Sequence, residues 1–115
     1  MITKKKHVIE YFNSGIKKQK DIRIGIEHEK FLFNQKNDRR IDYSKVKEMF
    51  SALTEFGWNP IKEKENVIGL NKNGKNITLE PGNQIELSGE KLDNIHEACA
   101  ESQDYLFELK QVTKK

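Results

Sequence analysis

Asn66-Val67-Ile68-Gly69-Leu70-Asn71-Lys72-Asn73-Gly74-Lys75-Asn76-Ile77-Thr78-Leu79-Glu80-Pro81-Gly82-Asn83-Gln84-Ile85-Glu86-Leu87-Ser88 carries the turn signals that set the architecture. Asn73-Gly74 supplies the positive-φ pair of a two-residue hairpin, so it joins Asn66–Lys72 to Lys75–Glu80 as antiparallel strands. Pro81-Gly82-Asn83 breaks the run, and Gln84–Ser88 resumes as a third strand. Upstream, residues 21–33 read as a strand with two faces. Ile22, Ile24, Ile26, His28 and Leu32 share one, interrupted by Lys30; Arg23, Gly25, Glu27, Glu29, Phe31 and Phe33 share the other.

Three helices complete the order. Residues 3–14 place Val8, Ile9 and Phe12 on one side, with Thr3 as the expected cap and Gly15 as the stop. Residues 43–56 carry the stripe Val46, Phe50, Leu53 and Phe56, capped by Asp42 or Ser44 and ended by Gly57. Residues 92–112 form a long helix with Asp93 as a cap and Ile95, Cys99, Leu106 and Leu109 expected inside. The sequence of elements predicts an α+β fold with a sheet that is at least partly antiparallel.

The composition limits what such a fold can be. In 115 residues, 35% are hydrophobic and 34% charged, so the core is small and one domain is the upper bound. No apolar run approaches the ~20 residues of a membrane span, and no h-region follows the basic start, so no membrane or secretory route is expected. A lone cysteine, Cys99, excludes an internal disulfide and suits the cytoplasm. The net charge is +3, but residues 1–20 carry +5, from six lysines and Glu10, and the remainder −2. No aromatic residues interleave with those lysines as a base-stacking platform needs, so they read as solvated charge and a nucleic-acid partner is not expected.

The carboxylates are the chemical signal. Glu27 and Glu29, two apart on a strand, leave from one face. Adjacent carboxylates repel unless a cation stands between them, and hard ions such as Mg²⁺ take oxygen ligands. The bland alternative is a solvated sheet face with Arg23 or a lysine as partner. Glu80, Gln84 and Glu86 share parity, although the Pro-Gly break is able to reset it. If the strands meet, four carboxylates share one surface. His28, on the other face, reads as packed inside; His96 as exposed or capping; Cys99 as a small core residue. No phosphate loop, dinucleotide fingerprint or Ser-His-Asp arrangement is present, and no side chain is assigned a catalytic role.

Two stretches resemble a known family. Arg23-Ile24-Gly25-Ile26-Glu27-His28-Glu29-Lys30-Phe31 is similar to the R-I-G-T-E-H-E-K-F motif of plant-type and proteobacterial glutamate–cysteine ligases. Ile77-Thr78-Leu79-Glu80-Pro81-Gly82-Asn83-Gln84-Ile85-Glu86-Leu87-Ser88-Gly89 is similar to their I-T-L-E-P-G-G-Q-F-E-L-S-G. Phe56-Gly57-Trp58-Asn59-Pro60, Asn66-Val67-Ile68-Gly69-Leu70 and Ile95-His96-Glu97-Ala98-Cys99-Ala100-Glu101 resemble further segments in the same order. Ile26, Asn83 and Ile85 replace threonine, glycine and phenylalanine; Asn83 tolerates positive φ better than most residues.

The resemblance implies a glutamine synthetase-like fold, a curved and largely antiparallel sheet with flanking helices. It also implies ATP-dependent joining of L-glutamate to L-cysteine, the first step of glutathione synthesis. Glu27, Glu29, Glu80 and Glu86 would then ligate Mg²⁺ or Mn²⁺, and Gln84 would line the glutamate site. Residues 1–115 would form an incomplete, N-terminal segment of the catalytic domain. That segment is not expected to turn over alone, and a second chain could supply the rest. A half-built sheet would leave an open edge and uncovered apolar surface. The competing expectation is a module that binds a divalent ion or metal–nucleotide without turnover.

Overall fold

The computed structural model describes residues 2–114. The order is α1 (Lys5–Ser14), β1 (Glu27–Phe31), α2 (Tyr43–Leu53), β2 (Asn59–Glu63), β3 (Asn66–Lys72), β4 (Lys75–Glu80), β5 (Gln84–Ser88) and α3 (Ile95–Thr113). Short 3₁₀ turns lie at Gln19–Asp21 and Thr54–Phe56. The five strands form one antiparallel sheet in the order β1-β5-β4-β3-β2. The fold is α+β.

Strands β2 to β5 are a meander built on tight turns. Asn73 and Gly74 both adopt positive φ, 49° and 84°, as the Asn-Gly pair predicts. Gly82 and Asn83 do the same in the next turn, at 74° and 58°. Asn83 also donates from Nδ2 to the Ile41 carbonyl at 3.1 Å. Helix α2 starts as its sequence predicts, with the Asp42 carboxylate accepting from the Lys45 N–H at 3.2 Å. Gly57 in the left-handed region ends the 3₁₀ turn that follows it.

One face of the sheet is covered. Val46, Met49, Phe50 and Leu53 of α2 and Tyr105 and Leu109 of α3 pack with Trp58, Leu70, Ile77, Ile85 and Leu87. Because strand side chains alternate, Gln84, Glu86 and Ser88 of β5 turn to the other face. Pro60 is tolerated in β2 because that strand is an edge.

Five expectations need correction. The strand is limited to Glu27–Phe31; around it only isolated bridges form, Ile24 to Leu92 and Phe33 to Arg40. A strand persists only where a partner supplies a ladder, and β5 ends at Ser88. Asn59–Glu63 is a strand of its own, pairing with β3. Lys4, not Thr3, precedes α1, with no side-chain cap. Asn94, not Asp93, caps α3, accepting from the N–H groups of His96 and Glu97. The inner side of α3 is also turned. Ala98, Glu101, Tyr105, Glu108 and Leu109 are buried, whereas Ile95 and Cys99 are exposed and Leu106 is half-buried.

Much apolar surface is uncovered. Helix α1 has no buried residue, and Val8, Ile9 and Phe12 face solvent. Phe31 and Phe33 are 54% and 56% exposed. The radius of gyration is 17.8 Å, against about 13 Å for a compact chain of this length. Among the described residues no helix is long and apolar enough to cross a membrane.

Candidate functional site

The ladder settles which carboxylates share a face. Glu29 pairs directly with Glu86, Glu27 with Ser88 and Phe31 with Gln84. On the far side of β5, Glu86 pairs with Thr78 and Gln84 with Glu80. Directly paired residues project to the same side. Glu27, Glu29, Glu80, Glu86 and Gln84 therefore stand on the sheet face that α2 and α3 leave bare. The Pro81-Gly82-Asn83 turn keeps Glu80 and Gln84 opposite one another, so it does not reset the parity.

The side chains are held in different ways. Glu80 Oε1 accepts from Thr78 Oγ1 at 3.1 Å, and Glu86 Oε1 from Ser88 Oγ at 3.2 Å. Both are half-buried, whereas Glu27 and Glu29 are exposed. As placed, no group of three or more His, Cys, Asp or Glu side chains among the described residues is gathered closely enough to hold a metal ion. The surface offers carboxylate, amide and hydroxyl oxygens, a donor set that fits hard divalent cations.

Arg23 is not the partner of these acids. Its Nε pairs with Asp93 Oδ1 at 2.8 Å, and its guanidinium donates to the Lys20 and Ile22 carbonyls. The cation at the rim is Arg40, which sequence reasoning did not single out. Its guanidinium stacks over the Phe31 ring, 4.5 Å from the centroid, and donates to the Gly82 carbonyl. That contact ties the segment before α2 to the turn between Glu80 and Gln84. No local signal marks Arg40, because its acceptor, the Gly82 carbonyl, lies 42 residues along the chain.

His28 faces the helices. Its Nε2 lies 3.2 Å from Ser102 Oγ, and its ring meets Tyr105 edge-on. Lys30 shares this face, with Nζ 5.9 Å from the Tyr105 ring centroid, which explains a lysine between apolar neighbours. His96 is exposed at the start of α3. Behind the sheet lies a cleft of about 220 Å³ lined by Trp58, Lys72, Lys75, Glu101, Tyr105 and Glu108, among others. Glu108 accepts from Trp58 Nε1 and Lys72 Nζ, both at 2.6 Å. Burial pushes the Tyr105 hydroxyl well above the usual range for a phenol.

An antiparallel sheet with helices on one side and acids with an amide on the other defines an α+β domain with an oxygen-rich open face. The chain belongs to the glutamate–cysteine ligase family 2, whose model matches residues 23–115. It is 42% identical over 109 residues to the chloroplastic glutamate–cysteine ligase A of Oryza sativa subsp. japonica, covering 94% of this chain and 22% of that protein. The chloroplastic glutamate–cysteine ligase of Medicago truncatula is 39% identical over 112 residues, covering 96% and 22%. That of Arabidopsis thaliana is 38% identical over 109 residues, covering 94% and 21%. The chain thus spans about a fifth of the length of the curated relatives it matches.

Proposed function

We propose that these 115 residues are the N-terminal part of a glutamate–cysteine ligase catalytic domain with a glutamine synthetase-like fold. Glu27, Glu29, Glu80 and Glu86 ligate Mg²⁺, or Mn²⁺ in its place, and Gln84 lines the pocket for L-glutamate. The observation that carries this reading is the register: Glu29 opposite Glu86 and Glu80 opposite Gln84, on one open face. In the complete ligase the γ-carboxylate of glutamate takes the terminal phosphoryl group of ATP. The cysteine amine then attacks the acyl carbon, and phosphate leaves as the amide forms. Bound divalent ions supply charge neutralisation on the transferring phosphoryl group. The carboxylates hold and orient, while Gln84 offers an amide to the substrate.

Turnover belongs to the assembled ligase, with the remaining strands in the same polypeptide or a second chain. The open edge of β1 and the uncovered Phe31 and Phe33 support such a completion. The setting is the cytoplasm, where a lone thiol stays reduced; the plant relatives are named as chloroplastic. The test is calorimetric titration of the chain with Mn²⁺, beside the double variant Glu27→Ala, Glu86→Ala. Saturable binding lost in the variant supports the metal face, and equal binding by both removes it. Mixing with a chain that carries the later part of a related ligase, then assaying γ-glutamylcysteine, separates a split ligase from a module that binds without turnover.

A further inference from the structure

Glu101 lies within α3, behind the sheet, and is 7% exposed. A buried carboxylate is costly unless it is hydrogen-bonded or paired. Its Oε2 accepts from the Glu90 backbone N–H at 3.1 Å and lies 3.8 Å from Lys75 Nζ. Its Oε1 has no hydrogen-bond partner and occupies the space that a Cβ on residue 89 would fill. Glycine at 89 is therefore what lets the carboxylate approach the end of β5. The same absent Cβ would stand 3.0 Å from Ile26 Cγ1. The Gly89 N–H donates to the Ile26 carbonyl at 2.9 Å, and the next pair along the ladder is Ser88 with Glu27.

We propose that Glu101 is a positioning residue for the acidic face. It clamps the Gly89-Glu90 backbone to α3 and, through the Gly89-to-Ile26 bond, fixes where Glu27 joins the sheet. The inference rests on reading that face as the metal site. Glu101 stands on the opposite side of the sheet from the ions and acts through backbone alone. Lys75, from β4, pairs with it across the cleft, which Lys72, Asp104 and Glu108 also line.

The test uses the full chain and two readouts: Mn²⁺ affinity by electron paramagnetic resonance, and amide hydrogen exchange by NMR. Glu101→Ala is expected to weaken Mn²⁺ binding about tenfold or more, the usual effect of removing a group that orients a metal ligand. It is also expected to speed exchange at Gly89 and Glu90 about tenfold. Glu101→Gln keeps an oxygen for the Glu90 N–H and is expected to restore most of both. Glu108→Gln, which disturbs another buried carboxylate of the same helix, is expected to leave Mn²⁺ affinity and Gly89 exchange unchanged. If Glu101→Ala does not fold, Glu101→Asp, one methylene too short to reach, carries the same expectation. Unchanged Mn²⁺ affinity in Glu101→Ala and Glu101→Asp, or equal weakening by Glu108→Gln, overturns the proposal. If the wild-type chain takes no Mn²⁺, the metal reading falls and the exchange data decide the clamp. Acceleration confined to Gly89 and Glu90 upholds it, and unchanged exchange there overturns it.

Discussion

Glu29 and Glu86 stand directly opposite each other across the β1–β5 ladder, two carboxylates on an open sheet face. Like charges in that relationship weaken a sheet by about 0.2–1 kcal/mol. In buffer without divalent ions, Glu86→Gln should therefore raise the unfolding midpoint by a few degrees. The Ser88 hydroxyl keeps an amide oxygen to bond. Millimolar Mn²⁺ should reverse the order, because a ligand for the native state stabilises the wild type more. Thermal unfolding of both proteins with and without Mn²⁺ checks this. A variant that gains as much from Mn²⁺ as the wild type counts against the metal face.

Three glycines should respond differently to alanine. A Cβ at Gly69 would lie 2.8 Å from the Ile77 carbonyl oxygen, a backbone atom with little room to give. Gly69→Ala should cost about 1–3 kcal/mol, in the range of overpacking. Gly57 has open space but a φ of 85°, so Gly57→Ala should cost about 1–2 kcal/mol from backbone strain. Gly25 has neither a neighbour within 4 Å nor a positive φ. Gly25→Ala should be neutral or add up to about 1 kcal/mol by restricting the unfolded chain. Urea unfolding ranks the three.

Trp58 and Lys72 both depend on Glu108, each at 2.6 Å. Glu108→Ala leaves an indole N–H and an ammonium without their acceptor and should cost about 2–3 kcal/mol. Glu108→Gln keeps one oxygen and should lose less. The urea midpoint and the Trp58 fluorescence maximum report both.

The Asp42 carboxyl is held below its usual range, first by the Ser44 hydroxyl at 2.7 Å and then by the Lys45 N–H. A depressed folded-state pKa gives stability that is present above the unfolded value, near 3.8, and is lost as pH falls through the lower folded one. Asn is also a good cap but does not titrate. Wild type should therefore lose stability relative to Asp42→Asn as the pH falls below about 4. Melting curves from pH 7 to pH 2.5 measure the difference. A constant gap would mean that the cap does not titrate.

Cys99 is exposed on α3. A thiol reagent should modify it in the folded chain at a rate close to that in urea, without a drop in helical circular dichroism. Protection that lifts only on unfolding would put Cys99 inside.

Much of this architecture is local and could be read along the chain. Asn73-Gly74 fixes one hairpin and Pro81-Gly82-Asn83 the next, so the register that aligns Glu80 with Gln84 follows from turn chemistry. The stripe Val46, Phe50 and Leu53 is apolar and is buried. Helix α3 misleads because its inner side is partly polar. Glu101 and Glu108 are inside since Lys75, Lys72, Trp58 and a backbone N–H meet them there. Lys72, Lys75 and Trp58 lie 26 or more residues away along the chain, so helical spacing and polarity place Cys99 inside and give no sign of the buried carboxylates. The run Ile22, Ile24 and Ile26 misleads for the opposite reason. It alternates like a strand, but only Ile24 finds a bridging partner, at Leu92. The pairing of Glu29 with Glu86 was legible as a possibility, since parity gives faces and not neighbours.

The sheet order also bears on synthesis. Strands β2 to β5 join neighbours in sequence and can form as local hairpins, whereas β1 must wait for β5. Joining segments so far apart carries a loop-closure cost that the hairpins escape. On a ribosome, Glu27 and Glu29 emerge early and remain solitary until residues 84–88 have left the exit tunnel. The face that gathers the acids is thus a late product of translation. A cell that halts elongation before β5 is left with a chain that carries Glu27, Glu29 and Glu80 but neither Glu86 nor the strand that brings them together.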